Sequence, residues 1–126
     1  MQTKNLLVVD DSRMVRKIIS VSLRHEKRIK LYEAASGLEA LDKLTEADFD
    51  LIFTDINMPN MDGLEFIKRC KEDERYKNIP VIVITTEDGM EDRERALGLG
   101  AIGYVTKPLD RESIIEITNS MLLSDA

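Results

Sequence analysis

The sequence is poor in the residues that build covalent staples and soft-metal centres. Its 126 residues include one cysteine, Cys70, and one histidine, His25. A single thiol excludes an internal disulfide and a cysteine-built zinc site, and a single imidazole excludes a multi-histidine metal centre. Long apolar runs are missing too. Leu51–Phe53 and Val81–Ile84 fall far short of the roughly 20 residues that cross a bilayer. No long apolar stretch follows Met1–Asn5, so no secretion signal is visible and a cytoplasmic location is expected. Internal repeats, linkers and low-complexity segments are also lacking.

Hydrophobic residues make up 43% and charged residues 33%, a composition that is neither disordered nor fibrous. A chain of this length buries about two-thirds of its unfolded surface, enough for one core, so a single domain over 1–126 is expected. The net charge of −6 is unevenly placed. Residues 1–30 carry 8 basic and 3 acidic side chains; residues 31–126 carry 10 and 21. Nucleic-acid binding over the whole surface is therefore not expected. The basic side chains Arg13, Arg16, Lys17 and Arg24 read either as a solvated helix face or as a surface that steers an acidic partner.

Two patterns alternate along the chain. Short apolar, β-branched runs occur at Leu6–Val9, Ile29–Tyr32, Leu51–Thr54, Val81–Ile84 and Ile102–Val105. Amphipathic stretches lie between and after them. Ser12 is a candidate N-cap before Met14, Val15, Ile18, Ile19 and Leu23. Ser36-Gly37-Leu38-Glu39 has the form of a capping box. Leu64, Phe66 and Ile67 open a third helix, and Met90–Leu99 makes a charged fourth. Asp110 caps a fifth, with Ile114, Ile117, Thr118 and Met121 on one face. Apolar strands alternating with helices predict a parallel sheet covered on both faces, a doubly wound α/β fold.

Such folds bind ligands outside the carboxyl ends of the strands. The first strand ends in Asp10-Asp11-Ser12, the third in Asp55, the fourth in Thr85-Thr86-Glu87 and the fifth in Thr106-Lys107-Pro108. Each residue alone reads as a turn former or a loop. Together they aim three carboxylates, hydroxyls and one lysine at one sheet edge. Crowded carboxylates repel unless a cation joins them. An all-oxygen ligand set favours a hard cation such as Mg²⁺. A lysine and a hydroxyl around a carboxylate suit phosphoryl transfer to that carboxylate.

The sequence resembles a response-regulator receiver domain of two-component signalling and chemotaxis. The resemblance spans Leu6 to Leu122. It rests on Leu7-Val8-Val9-Asp10-Asp11-Ser12, on Asp55-Ile56-Asn57-Met58-Pro59-Asn60-Met61-Asp62-Gly63, on Pro80-Val81-Ile82-Val83-Ile84-Thr85 and on Gly100-Ala101-Ile102-Gly103-Tyr104-Val105-Thr106-Lys107-Pro108. It implies a flavodoxin-like (βα)5 fold with strand order 2-1-3-4-5. By the same resemblance Asp55 accepts phosphate from a histidine kinase or histidine phosphotransfer protein. Asp11, Asp55 and the Asn57 carbonyl would bind Mg²⁺ directly, and Asp10 mostly through metal-bound water. Thr85 matches the switch hydroxyl, Tyr104 the aromatic that turns inward with it, and Lys107 the group that holds a phosphoryl oxygen. The Lys107–Pro108 peptide would be cis. Asn57 and Glu87 would border the water that hydrolyses the phosphate, while Thr86, often alanine or glycine in the family, would narrow its path. A downstream protein target would meet the face of helix 4, strand 5 and helix 5. The Met1 start and the short tail lead us to expect a stand-alone receiver; a monomer that catalyses only its own phosphorylation and dephosphorylation is also expected.

Three rival readings fit the chain less well. A haloacid-dehalogenase-type phosphatase would need a second aspartate two residues after the nucleophile, where this chain has Asn57. A flavodoxin-like redox module would need a glycine- and hydroxyl-rich loop after the first strand, where Asp10-Asp11 would repel a flavin phosphate. A receiver that docks without being phosphorylated would not need the whole acceptor set.

Overall fold

The computed structural model describes residues 3–58, 60–86 and 88–123. Five strands alternate with five helices: β1 Lys4–Val9, α1 Arg13–Leu23, β2 Ile29–Ala34, α2 Gly37–Leu44, β3 Leu51–Asp55, α3 Gly63–Glu72, β4 Val81–Thr85, α4 Met90–Leu99, β5 Gly103–Thr106 and α5 Arg111–Thr118. All strand pairs are parallel, in the order β2-β1-β3-β4-β5. The central strands β3 and β4 are buried along their whole length, which explains their unbroken apolar runs.

Successive side chains of a strand point to opposite faces, and the sheet separates two cores accordingly. Leu6 and Val8 join Ile19, Leu23, Phe53, Ile84 and Ile114 beneath α1 and α5. Leu7 and Val9 join Ala40, Leu44, Ile52, Phe66, Ile67, Val83 and Ala96 beneath α2, α3 and α4. Side-chain caps start four of the helices. Ser12 accepts from Val15 N, Ser36 from Glu39 N, Asp62 from Glu65 N and Asp110 from Ser113 N. The expected capping box is shifted by one residue, because the Glu39 carboxylate takes the N–H of Ala35. The fourth helix starts at Gly89 with no side-chain cap and buries only Ala96. No helix among the described residues is long and apolar enough to cross a membrane.

Strands β1 to β4 extend one or two residues beyond the apolar runs, and two further differences lie near the C-terminus. The fifth strand is Gly103–Thr106, not Ile102–Val105, and Ile102 is 53% exposed. β5 is an edge strand, so an apolar residue at its start need not be covered. After Thr118 the chain winds wider, as a π-helical turn over Asn119–Leu123. The wider turn carries Met121 off the expected face to 36% exposure and buries Leu122 instead.

One glycine sets how closely α3 approaches the site. The N–H of Gly63 donates to Ile56 O at 2.7 Å. A Cβ at position 63 would strike the Asp55 carbonyl and stand 2.8 Å from Ile56 Cα. Both obstacles are backbone and cannot swing aside. Gly63→Ala is therefore expected to destabilise the fold by about 1–3 kcal/mol through overpacking, measured by urea unfolding. Wild-type stability in that variant would contradict this close approach.

Candidate acceptor site and metal centre

The carboxyl ends of β1, β3, β4 and β5 bring Asp10, Asp55, Thr85 and Lys107 to one end of the sheet. Asp10 is fully buried, Asp55 and Thr85 are nearly so, and Asp11 is exposed. Carboxylate oxygens of Asp10, Asp11 and Asp55 lie within 4.8 Å of one another. Lys107 Nζ stands 3.4 Å from Asp55 Oδ2 and 3.5 Å from Asp10 Oδ2. The Lys107–Pro108 peptide is cis.

Two of these acids are held in an unfavourable state. Burial pushes the Asp10 carboxyl up to about 6, and the Asp55 charge adds to the rise against the opposing Ser12 N–H and Lys107. Burial likewise raises Asp55, although Lys107 and the N–H groups of Asn57 and Ile56 oppose it. One ammonium group thus pairs with two carboxylates of a cluster of three. Asp10 Oδ1 accepts from Ser12 N at 2.8 Å, whereas the buried Oδ2 accepts no hydrogen bond. A buried carboxylate oxygen that has only a 3.5 Å ion pair to Lys107 and no hydrogen bond, beside two further carboxylates, is what a hard divalent cation would satisfy. The residues present therefore fit a metal of that class.

The remaining expected residues fall around this cluster. Asn57 is exposed and its N–H turns back to Asp55 Oδ1 at 3.4 Å. The Thr85 hydroxyl donates to Thr86 O at 3.4 Å. A side chain at Gly89 would collide with that hydroxyl, so the glycine leaves Thr85 its room. Thr86 is exposed. Glu87 lies outside the described residues. Tyr104 is 46% exposed and carries the Arg93 guanidinium over its ring, 4.7 Å from the centroid. It is therefore turned outward here.

Arg16 is more than a basic side chain on a helix face that is either solvated or steers an acidic partner. Its Nη1 donates to the Asp10 carbonyl at 2.7 Å and its Nε to Glu33 at 3.2 Å. The sequence held a faint signal, since Arg16 lies one helical turn after the N-cap Ser12 and so stands over the end of β1. Gly63 and Gly89 were also missed as site residues, because each acts by lacking a side chain. His25 is exposed and its Nε2 accepts from Arg24. Cys70 is buried with its thiol pushed up to about 12, a packing residue without redox character.

Residues 6–119 match the family described as the response regulator receiver domain. The chain belongs to the response regulator receiver family. Chemotaxis protein CheY1 of Helicobacter pylori is 42% identical to this receiver over 112 residues, covering 88% of this chain and 90% of that one. The chemotaxis protein CheY homolog of Campylobacter jejuni is 38% identical over 118 residues, 93% of this chain and 91% of the relative. Among solved structures, chemotaxis protein CheY4 of Vibrio cholerae superposes with a TM-score of 0.87 at 35% identity, over 95% of this chain and 99% of that one. Response regulator Rcp1, solved in a Mn²⁺-bound form, superposes with a TM-score of 0.82 at 25% identity, over 98% of this chain and 96% of that one. This receiver is a phosphorylation-activated switch of two-component signalling, of the chemotaxis type.

Proposed function

We propose that this receiver takes a phosphoryl group on Asp55 from the phosphohistidine of a kinase or phosphotransfer protein, and that the modified domain changes its affinity for a downstream target. The observation that carries this reading is the buried Asp55 carboxylate, with Lys107 Nζ at 3.4 Å and two further carboxylates within 4.8 Å. An Asp55 oxygen attacks the phosphorus, the P–N bond to the donor imidazole breaks, and the imidazole leaves with the bonding pair. Lys107 moves from its carboxylate partners onto a phosphoryl oxygen as negative charge gathers there. Asp11, Asp55 and the Asn57 carbonyl would hold Mg²⁺, and Asp10 would act mostly through metal-bound water. When bound, the cation neutralises the carboxylates and the incoming phosphoryl oxygens. The Mn²⁺-bound relative supports a divalent ion in this role.

The switch follows from differential contacts. A phosphoryl group on Asp55 offers the Thr85 hydroxyl a stronger, charged acceptor than the Thr86 carbonyl it now meets at 3.4 Å. Moving Thr85 empties space beside β4, into which Tyr104 turns. That rotation breaks the Arg93 stack and remodels the surface of α4, β5 and α5, where Ile102 and Met90 are already exposed. The phosphate biases an existing equilibrium and does not create a new fold. Asn57 and Glu87 orient the hydrolytic water and Thr86 restricts its approach, so the protein resets itself in the cytoplasm without turning over a separate substrate.

Acetyl phosphate tests this reading without a cognate kinase. Labelling of the wild-type protein is expected with Mg²⁺ and is expected to vanish when the metal is chelated. Equal labelling in both conditions would refute the metal-assisted mechanism.

A further inference from the structure

The acidic cluster depends on one peptide group, the amide that joins Asp10 to Asp11. Turning that peptide would swing the Asp11 carboxylate away from its two neighbours. The Asp10 N–H is fixed by Ala34 O of β2 at 3.1 Å, and Asp10 Oδ1 is fixed by Ser12 N. Among the described residues the Asp10 carbonyl has a single hydrogen-bond donor, Arg16 Nη1 at 2.7 Å. Arg16 is not a free surface charge, because its side chain is only 16% exposed. Its Nε is held at 3.2 Å by Glu33, which sits on β2 opposite Val8 in the strand register. The rigid fork of the guanidinium therefore reaches from β2 to the end of β1 and meets two acceptors at once.

We propose that Arg16 is a positioning residue for the metal centre, holding the Asp10–Asp11 peptide so that the carboxylates on both sides of it face Asp55. The proposal rests on the reading of Asp10, Asp11 and Asp55 as a metal site. Glu33 is the anchor that orients the guanidinium. A lysine at position 16 would keep the charge but serve one acceptor at a time.

The test is a calorimetric Mg²⁺ titration of the wild type, Arg16→Met, Arg16→Lys and Glu33→Gln, with thermal unfolding of each protein as a parallel readout. Arg16→Met is expected to lose about tenfold or more in Mg²⁺ affinity, the usual size for a group that orients metal ligands. Arg16→Lys is expected to recover part of that loss. Glu33→Gln keeps an amide oxygen for Arg16 Nε and is expected to bind nearly as the wild type does. In NMR spectra, the Asp10 to Ser12 amide resonances should move in Arg16→Met before any metal is added. An arginine that only braced the fold would lower the unfolding midpoint and leave the affinity of the folded protein unchanged, and that result would overturn the proposal. Should Arg16→Met not fold, Arg16→Lys decides: reduced affinity supports the proposal and wild-type affinity overturns it. A wild-type protein that binds no Mg²⁺ would instead overturn the metal-site reading itself.

Discussion

Asp55→Asn is expected to reduce labelling by acetyl phosphate by about 100-fold or more, the scale on which losing an essential nucleophile is felt. An amide oxygen is a poor nucleophile, and no other carboxylate in the cluster is equivalent to this one. Asp10 Oδ1 is occupied by Ser12 N and its residue is fully buried, while Asp11 is exposed and Lys107 pairs with Asp10 and Asp55 instead. Asp55 alone ends a central strand with Lys107 against one oxygen and the Asn57 N–H against the other. The fold should survive the change, because asparagine has nearly the same shape and burial disfavours the charge it removes. Labelling of Asp55→Asn at the wild-type rate would remove Asp55 from the mechanism.

Asp10→Asn is expected to stabilise the metal-free protein at pH 7.5 and to flatten its stability between pH 4 and 6. In the fold the Asp10 carboxyl holds its proton up to about 6, whereas in the unfolded chain it releases it near 3.8. Between those values the folded form binds more protons, so stability falls as pH rises and the deficit is complete above about pH 6. A shift of this size corresponds to about 3 kcal/mol, and the raised carboxyl of Asp55 works in the same direction. Glu26 and Asp73, drawn below their ordinary values by Arg28 and Arg75, act oppositely, but in a lower pH range. Metal-free wild type should therefore melt higher at pH 5 than at pH 7.5, and added Mg²⁺ should raise the midpoint more at pH 7.5. If Asp10→Asn melts below the wild type at pH 7.5, the bonds made by this carboxylate outweigh its burial.

Much of the architecture could be read from the chain, and for identifiable reasons. The runs Leu51–Thr54 and Val81–Ile84 are buried on both faces, so their apolar character is continuous and their ends are sharp. Those sharp ends are why Asp55 and Thr85 stood out. Where burial weakens, legibility weakens with it. β5 is an edge strand, and the exposed Ile102 blurred its start by one residue. The π-helical turn after Thr118 shows no sign in the 3.6-residue pattern that Met121 continues.

Within the site, the residue types were legible and their hydrogen-bond partners were not. Asp10 and Asp11 are adjacent in the chain just past the end of β1, yet one is fully buried and the other exposed. Arg16 looked like one of several basic residues on a helix face. Only the fold shows its guanidinium turned inward to the Asp10 carbonyl. Gly63 and Gly89 matter through atoms they do not have, which becomes visible only once their neighbours are in place.

The most direct measurement is the position of the phosphoryl group. Wild-type protein treated with acetyl phosphate and Mg²⁺ would be digested under conditions that preserve acyl phosphates, and the modified residue located by mass spectrometry. The account predicts a single modified carboxylate, Asp55, and none when Mg²⁺ is chelated. Phosphate on any other residue, or on Asp55 regardless of metal, would contradict it.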